Sequence, residues 1–304
     1  KNLQDEEGWF REYRGADPGY HTTTISHLAQ IWREDRSLVD ENMLEDALCY
    51  FSSFIDKQNY YGKEIGSRHT SHIHPLGFEI LASEFRTAEK IAYCIRNNLA
   101  ENNLLTPDVM DDKHFSRLQA EFVLSYSISN DLKKTSKTLE EKNRGDIIVK
   151  EVRDNYIVLN KKRGGIYKIY RSGQLVNQDN GILASINGDY YTSNWYGTTE
   201  RVTEKDNKII IEGKLRKIPD NRLFSYKYIL FHVFQYVTGR FPRISLRLKQ
   251  ELIEKLIQGE NSGYGFRRVI DLEKLTHEDE ADGTLLEHDP KSEFVPSTEF
   301  YNLN

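Results

Sequence analysis

The sequence predicts an α+β protein, with helical hairpins up to about residue 130 and an antiparallel sheet from about residue 146. Three observations carry this expectation. Before residue 130 the apolar residues recur at the three- and four-residue spacing of a helix face, and beyond Asp146 they alternate in short runs, as on a half-buried strand. Asp-Asn, Gly-Gly, Ser-Gly and Asn-Gly pairs separate those runs and mark hairpin turns. Between the two regions lies a polar linker, Lys133 to Arg144 (KKTSKTLEEKNR). A chain of 304 residues is long enough for two domains, and the period change places them at 1–132 and 133–304.

In chain order, Glu6 to Tyr20 (EEGWFREYRGADPGY) is a loop rich in Gly and aromatics, with Asp17-Pro18-Gly19 as turn chemistry. A helix then starts at Thr22, capped by Thr22 or Thr23, with Ile25, Leu28, Ala29 and Trp32 as its apolar stripe. His21 stands at its start, and His27 falls on its polar flank as a surface histidine. The second helix spans Leu38 to Asp56, burying Val39, Met43, Ala47, Phe51 and Phe54 or Ile55. After a turn and a histidine-rich loop, the stripe from Phe78 to Leu99 predicts one long helix. Asp111 or Asp112 caps a fourth, with Phe115, Leu118, Phe122 and Tyr126 on its buried side.

The sheet region reads as IIVKEV, YIVLN, GIYKIY and KIIIEGKL. Tyr190, Tyr191, Trp195 and Tyr196 cluster in YYTSNWYG, either as sheet packing or as a platform on which a sugar ring could stack. Lys227 to Tyr236 is a strand or a buried helix, Leu246 to Ile257 an amphipathic helix, and the acidic tail from His277 a loop, with His277, His288 and Asp289 solvated.

Composition removes several functions. A net charge of -5 gives no basic field, so neither a nucleic-acid partner nor a polybasic membrane anchor is expected. No apolar run approaches the roughly 18 residues of a spanning helix, and no signal segment opens the chain. The first residue is not Met, so removal of a leader or a preceding segment is expected, and the compartment stays open between bacterial periplasm and cytoplasm. Cys49 and Cys94 lie in apolar helical patterns and read as small buried hydrophobes rather than a disulfide framework. There is no P-loop, paired CxxC or GxSxG.

The chemistry concentrates in Gly66 to Glu79, GSRHTSHIHPLGFE, where His69, His72 and His74 follow Arg68 and Pro75 and Gly77 close the loop. Such a loop can bind an anion, abstract a proton or hold a divalent metal; otherwise its polar groups only cap helices. No cofactor is expected, the alternative being a metal on the three histidines with Asp17 nearby, although histidines at this spacing on a loop have no fixed geometry. Glu12, Asp17 and Glu79 are the candidate carboxylates.

GWFREYRGADPGYHTTTISHLA, then GSRHTSHIHPLGFEILA, then RGGIYKIY in the β-rich half, resemble the heparinase II/III-like proteins, polysaccharide lyases and lyase-like proteins of bacterial exopolysaccharide and surface-polysaccharide pathways. The resemblance implies a partial (α/α) toroid packed on an antiparallel β-sandwich with a polysaccharide cleft between them. A preceding polypeptide segment would complete the ring. It also implies β-elimination on an acidic, uronate-containing polysaccharide, or, alternatively, a non-catalytic carbohydrate-binding or scaffold role in such a pathway. In the lyase chemistry Arg68 would pair with the uronate carboxylate, His69 or His72 would be the base, and Tyr20 or Tyr13 base or acid. Glu12, Asp17, His74, Glu79 and Trp195 are the remaining candidates for substrate binding.

Overall fold

The computed structural model describes residues 4–12, 15–56, 58–62, 65–66, 72–110, 112–129, 145–218, 233 and 261–286. It is an α+β protein with two compact units, Lys1–Asp179 and Asn180–Asn304. Among the described residues the first unit holds five α-helices and one antiparallel sheet, and the second holds another antiparallel sheet. No helix among them is long and apolar enough to cross a membrane.

Helix α1 (Pro18–Glu34) begins four residues earlier than the apolar stripe alone suggests. Asp17 is its N-cap, accepting the Tyr20 N–H at 3.0 Å, and Pro18 occupies the first helical position, where a missing N–H costs nothing. The Asp-Pro-Gly segment is therefore a helix start rather than a separate turn. Helix α2 (Glu41–Ser52) is capped by Asp40. The long helix expected from Phe78 to Leu99 is broken into α3 (Leu76–Leu81) and α4 (Arg86–Ala100). Phe85 interrupts it, taking extended backbone to pack edge-on against Trp32 with ring centroids 5.7 Å apart. α3 lies against α1 so closely that a Cβ on Gly77 would stand 2.6 Å from the Ser26 Cα.

Helix α5 (Asp112–Ile128) turns a different face inward from the predicted one. Phe115 and Tyr126 are exposed, and the buried side runs through Leu118, Glu121 and Ser125. A polar seam replaces the apolar stripe because Glu121 meets Ser26 of α1.

Strands β1 (Ile147–Val152), β2 (Asn155–Asn160), β3 (Ile166–Arg171) and β4 (Gln174–Asp179) form an antiparallel meander. Sequence periodicity suggests one sheet with its own core; instead Ile147, Val149, Val158, Ile166 and Tyr170 join the helices in a shared hydrophobic core. Tyr61 stacks on Tyr156 at 4.1 Å and meets Tyr170 edge-on at 5.0 Å, which fixes this sheet to the loop after α2.

In the second unit the strands are β5 (Leu183–Ile186), β6 (Asp189–Thr192), β7 (Thr199–Lys205), β8 (Lys208–Lys217), β9 (Asn261–Asp271), β10 (Thr276–Ala281) and β11 (Thr284–Leu285). β8 is central, pairing β9 along one edge and both β7 and β6 along the other. Ser172-Gly173, Asn187-Gly188 and Asp206-Asn207 are two-residue turns with positive φ at both positions, the backbone that a tight hairpin demands. From His277 to Ala281 the chain is strand, not loop. Its Asp279 accepts two hydrogen bonds from the fully buried Arg268, at 2.7 and 2.6 Å, and that pairing holds β10 on β9. His277 lies 3.7 Å from Asp279. The linker 133–144, the segments 227–236 and 246–257 apart from residue 233, and His288 and Asp289 lie outside the described residues.

Candidate functional site

The two loops singled out by their composition meet at the N-terminal end of α1. A Cβ on Gly66 would lie 2.7 Å from Asp17 Oδ2 and 2.8 Å from Pro18 Cδ, so only glycine lets the second loop pass so close to the helix cap. At the far end of that loop the His74 N–H donates to Thr22 Oγ1 at 2.9 Å, and the Thr22 hydroxyl donates to the Gly19 carbonyl at 2.7 Å. The loop is thereby fastened to the first turn of α1 at both ends.

Between these anchors three rings form a line. Half-buried Tyr20 meets His72 edge-on with centroids 6.1 Å apart, and His72 meets His74 at 5.5 Å. His74 is buried, and its Nδ1 stands 3.7 Å from Glu121 Oε1, beyond hydrogen-bond reach but within ion-pair distance. Ser26 Oγ lies 2.9 Å from each Glu121 oxygen. Burial pushes the Glu121 carboxyl up, but the His74 ring and the Ser26 hydroxyl facing it hold it below the ordinary carboxylate range.

Of the other candidates, Asp17 is 2 % exposed and serves as a helix cap. Glu79 is buried and gripped two-pronged by Arg96 of α4, Nε to Oε1 at 2.8 Å and Nη2 to Oε2, which engages both carboxylate oxygens. Glu12 is half-buried in a small bridge with Gly15. Trp195 belongs to the second unit and is 2 % exposed; Tyr191 and Tyr196 are buried too, which leaves Tyr190 as the exposed aromatic of that stretch. Arg68, His69 and Tyr13 lie outside the described residues. Among the described residues no group of three or more His, Cys, Asp or Glu side chains is placed to hold a metal ion.

Three residues of this region escape a reading of motifs. Glu121 is the first, and its trace in the sequence is an acid on the same helical face as Leu118, where an apolar residue would be expected. Arg163, 1 % exposed, is the second: from the β2–β3 turn it donates to the Gly66 carbonyl at 2.8 Å, beside Asn160, whose Nδ2 reaches the Ile65 carbonyl at 2.8 Å. Nothing local in the sequence links these residues to a loop nearly a hundred positions earlier. The third is Arg96, which lies 17 positions after its partner Glu79, across the break between α3 and α4. Compared with known proteins, the chain matches no family model and no curated protein.

Proposed function

We propose that this chain is a lyase-type enzyme that cleaves an acidic, uronate-containing polysaccharide by β-elimination. The observation that carries the proposal is the line Tyr20–His72–His74, two titratable rings and a phenol in succession at the junction of the two loops. β-Elimination needs a base to take the proton at C5, a cation to neutralise the adjacent carboxylate, and an acid to protonate the departing C4 oxygen as the C4=C5 double bond forms. In this reading His72 is the base, since imidazole titrates near neutral pH. Tyr20 is the acid, and Arg68, on the same loop, is the cation, because its planar guanidinium matches a carboxylate. The reading takes the helical hairpins as an arc of an (α/α) toroid and the antiparallel strands as the β-sandwich of the heparinase II/III-like proteins that the two loop motifs resemble. The burial of Tyr191, Trp195 and Tyr196 gives no support to a non-catalytic module built on an aromatic platform.

The test is incubation with a panel of uronate polymers, glycosaminoglycans and polyuronates included, following the ultraviolet absorbance of an unsaturated product. His72→Gln and Tyr20→Phe are expected to lower turnover about 10²-fold or more with the fold retained. Wild-type turnover rates in both variants, or no unsaturated product from any polymer, would reject the proposal.

A further inference from the structure

An acid on the inward face of a helix is costly unless its oxygens are matched by donors. Glu121 is 9 % exposed, on the same side of α5 as Leu118 and Ser125, and its surroundings are unequal. From α1 come neutral groups: Ser26 Oγ, 2.9 Å from both oxygens, and Gln30, whose Nε2 lies 3.2 Å from the Ser26 carbonyl. From α3 and α4, Glu79 and Arg96 satisfy one another. Among the described residues the group able to carry positive charge that faces Glu121 is His74, whose Nδ1, at 3.7 Å, is buried and has no hydrogen-bond partner there. The backbone N–H of His74 is held by Thr22, so the neutral ring is set beside Glu121 and its two nitrogens differ in what they face.

We infer that Glu121 is a positioning residue of the Tyr20–His72–His74 line: facing Nδ1 of His74, it keeps the proton on that nitrogen and so orients the ring on which His72 rests. The inference rests on the lyase reading of that line. Glu121 is separated from the Tyr20–His72 pair by the His74 ring, so it acts on the orientation and charge behind the base and not on the substrate. A carboxylate beside a neutral imidazole favours N–H on the near nitrogen.

Two measurements on the full chain test it. In the wild type, ¹⁵N-labelled histidine spectra, with His74 assigned by its loss in His74→Gln, should show neutral His74 as the Nδ1–H tautomer; the Nε2–H form would overturn the inference without any variant. In Glu121→Gln, which keeps the size of the side chain and an acceptor for Ser26, neutral His74 should lose its preference for the Nδ1–H tautomer. Turnover on whichever uronate polymer the wild type cleaves should then fall about tenfold, less than for loss of the base itself, with KM unchanged. An unmoved His74 tautomer overturns the inference, and so does a moved tautomer with unchanged kcat, which leaves the lyase reading standing. If the wild type yields no unsaturated product at all, the lyase reading fails and takes the positioning role with it.

Discussion

Acid should loosen the first unit through His21. Its ring is 2 % exposed, stacked on Phe10 at 5.4 Å and edge-on to Tyr50 at 5.0 Å. Nε2 lies 2.9 Å from the Ala47 carbonyl, which can only accept, so the neutral ring carries its proton there and ties the start of α1 to α2. Burial lowers the pKa from 6.5 to about 4, and the Ala47 carbonyl opposes the shift only in part. The unfolded chain therefore binds the extra proton first, and stability rises with pH wherever it does so. The contribution is complete above the unfolded value of 6.5 and is lost progressively as pH falls from there towards 4. At roughly 1.4 kcal/mol per pH unit the whole loss is about 3 kcal/mol, of which about 2 kcal/mol has gone by pH 5. Urea unfolding of Trp195→Phe, in which Trp9 and Trp32 report the first unit alone, should show this fall between pH 7.5 and 5. Adding His21→Gln, whose amide can still donate to Ala47, should flatten the slope across that interval. A flat profile in the parent, or an equal slope in both proteins, would refute the reasoning.

Two further predictions concern packing and charge. Gly77→Ala should destabilise the first unit by about 2 to 3 kcal/mol, because the new methyl meets backbone atoms of α1, 2.6 Å from the Ser26 Cα and 2.8 Å from its nitrogen, which cannot swing aside; calorimetry would measure it, and an unchanged Tm would count against the tight α1–α3 crossing. Arg96→Met should cost about 3 kcal/mol at pH 7 by leaving Glu79 buried without its cation, and Glu79→Gln in the same chain should recover part of that loss in urea titrations.

The helix and strand content is legible in the sequence because period and turn chemistry are local. The Asn187-Gly188 and Ser172-Gly173 pairs mark hairpins wherever they stand, since their backbone needs positive φ. Asp17-Pro18-Gly19 is ambiguous for a physical reason: the same three residues make a turn or a capped helix start, and the choice depends on whether the chain beyond the glycine coils. The break between α3 and α4 is invisible because the apolar spacing continues across it, while the packing of Phe85 on Trp32 is a contact remote in sequence. The histidine-rich loop announces itself by density, and its meeting with Asp17 and Tyr20 accords with both loops ending where a helix begins. Glu121 and Arg163 do not announce themselves, because their partners are 95 and 97 positions away for Ser26 and Gly66 respectively. Long-range pairing of polar groups leaves little periodic trace, whereas an apolar face leaves a repeated one.

The grip of Arg163 on Gly66 also sets an order of events during synthesis. The helices can coil as soon as they leave the ribosome, since their hydrogen bonds are local, but the carbonyls of Ile65 and Gly66 wait for a guanidinium and an amide made nearly a hundred residues later. Until the β2–β3 turn arrives, the loop that carries Arg68 has no donors from that side to hold its first residues against α1. A nascent chain would thus make its helical segments before the Ile65 and Gly66 carbonyls had their donors, and a ribosome stalled short of Arg163 would present the first without the second.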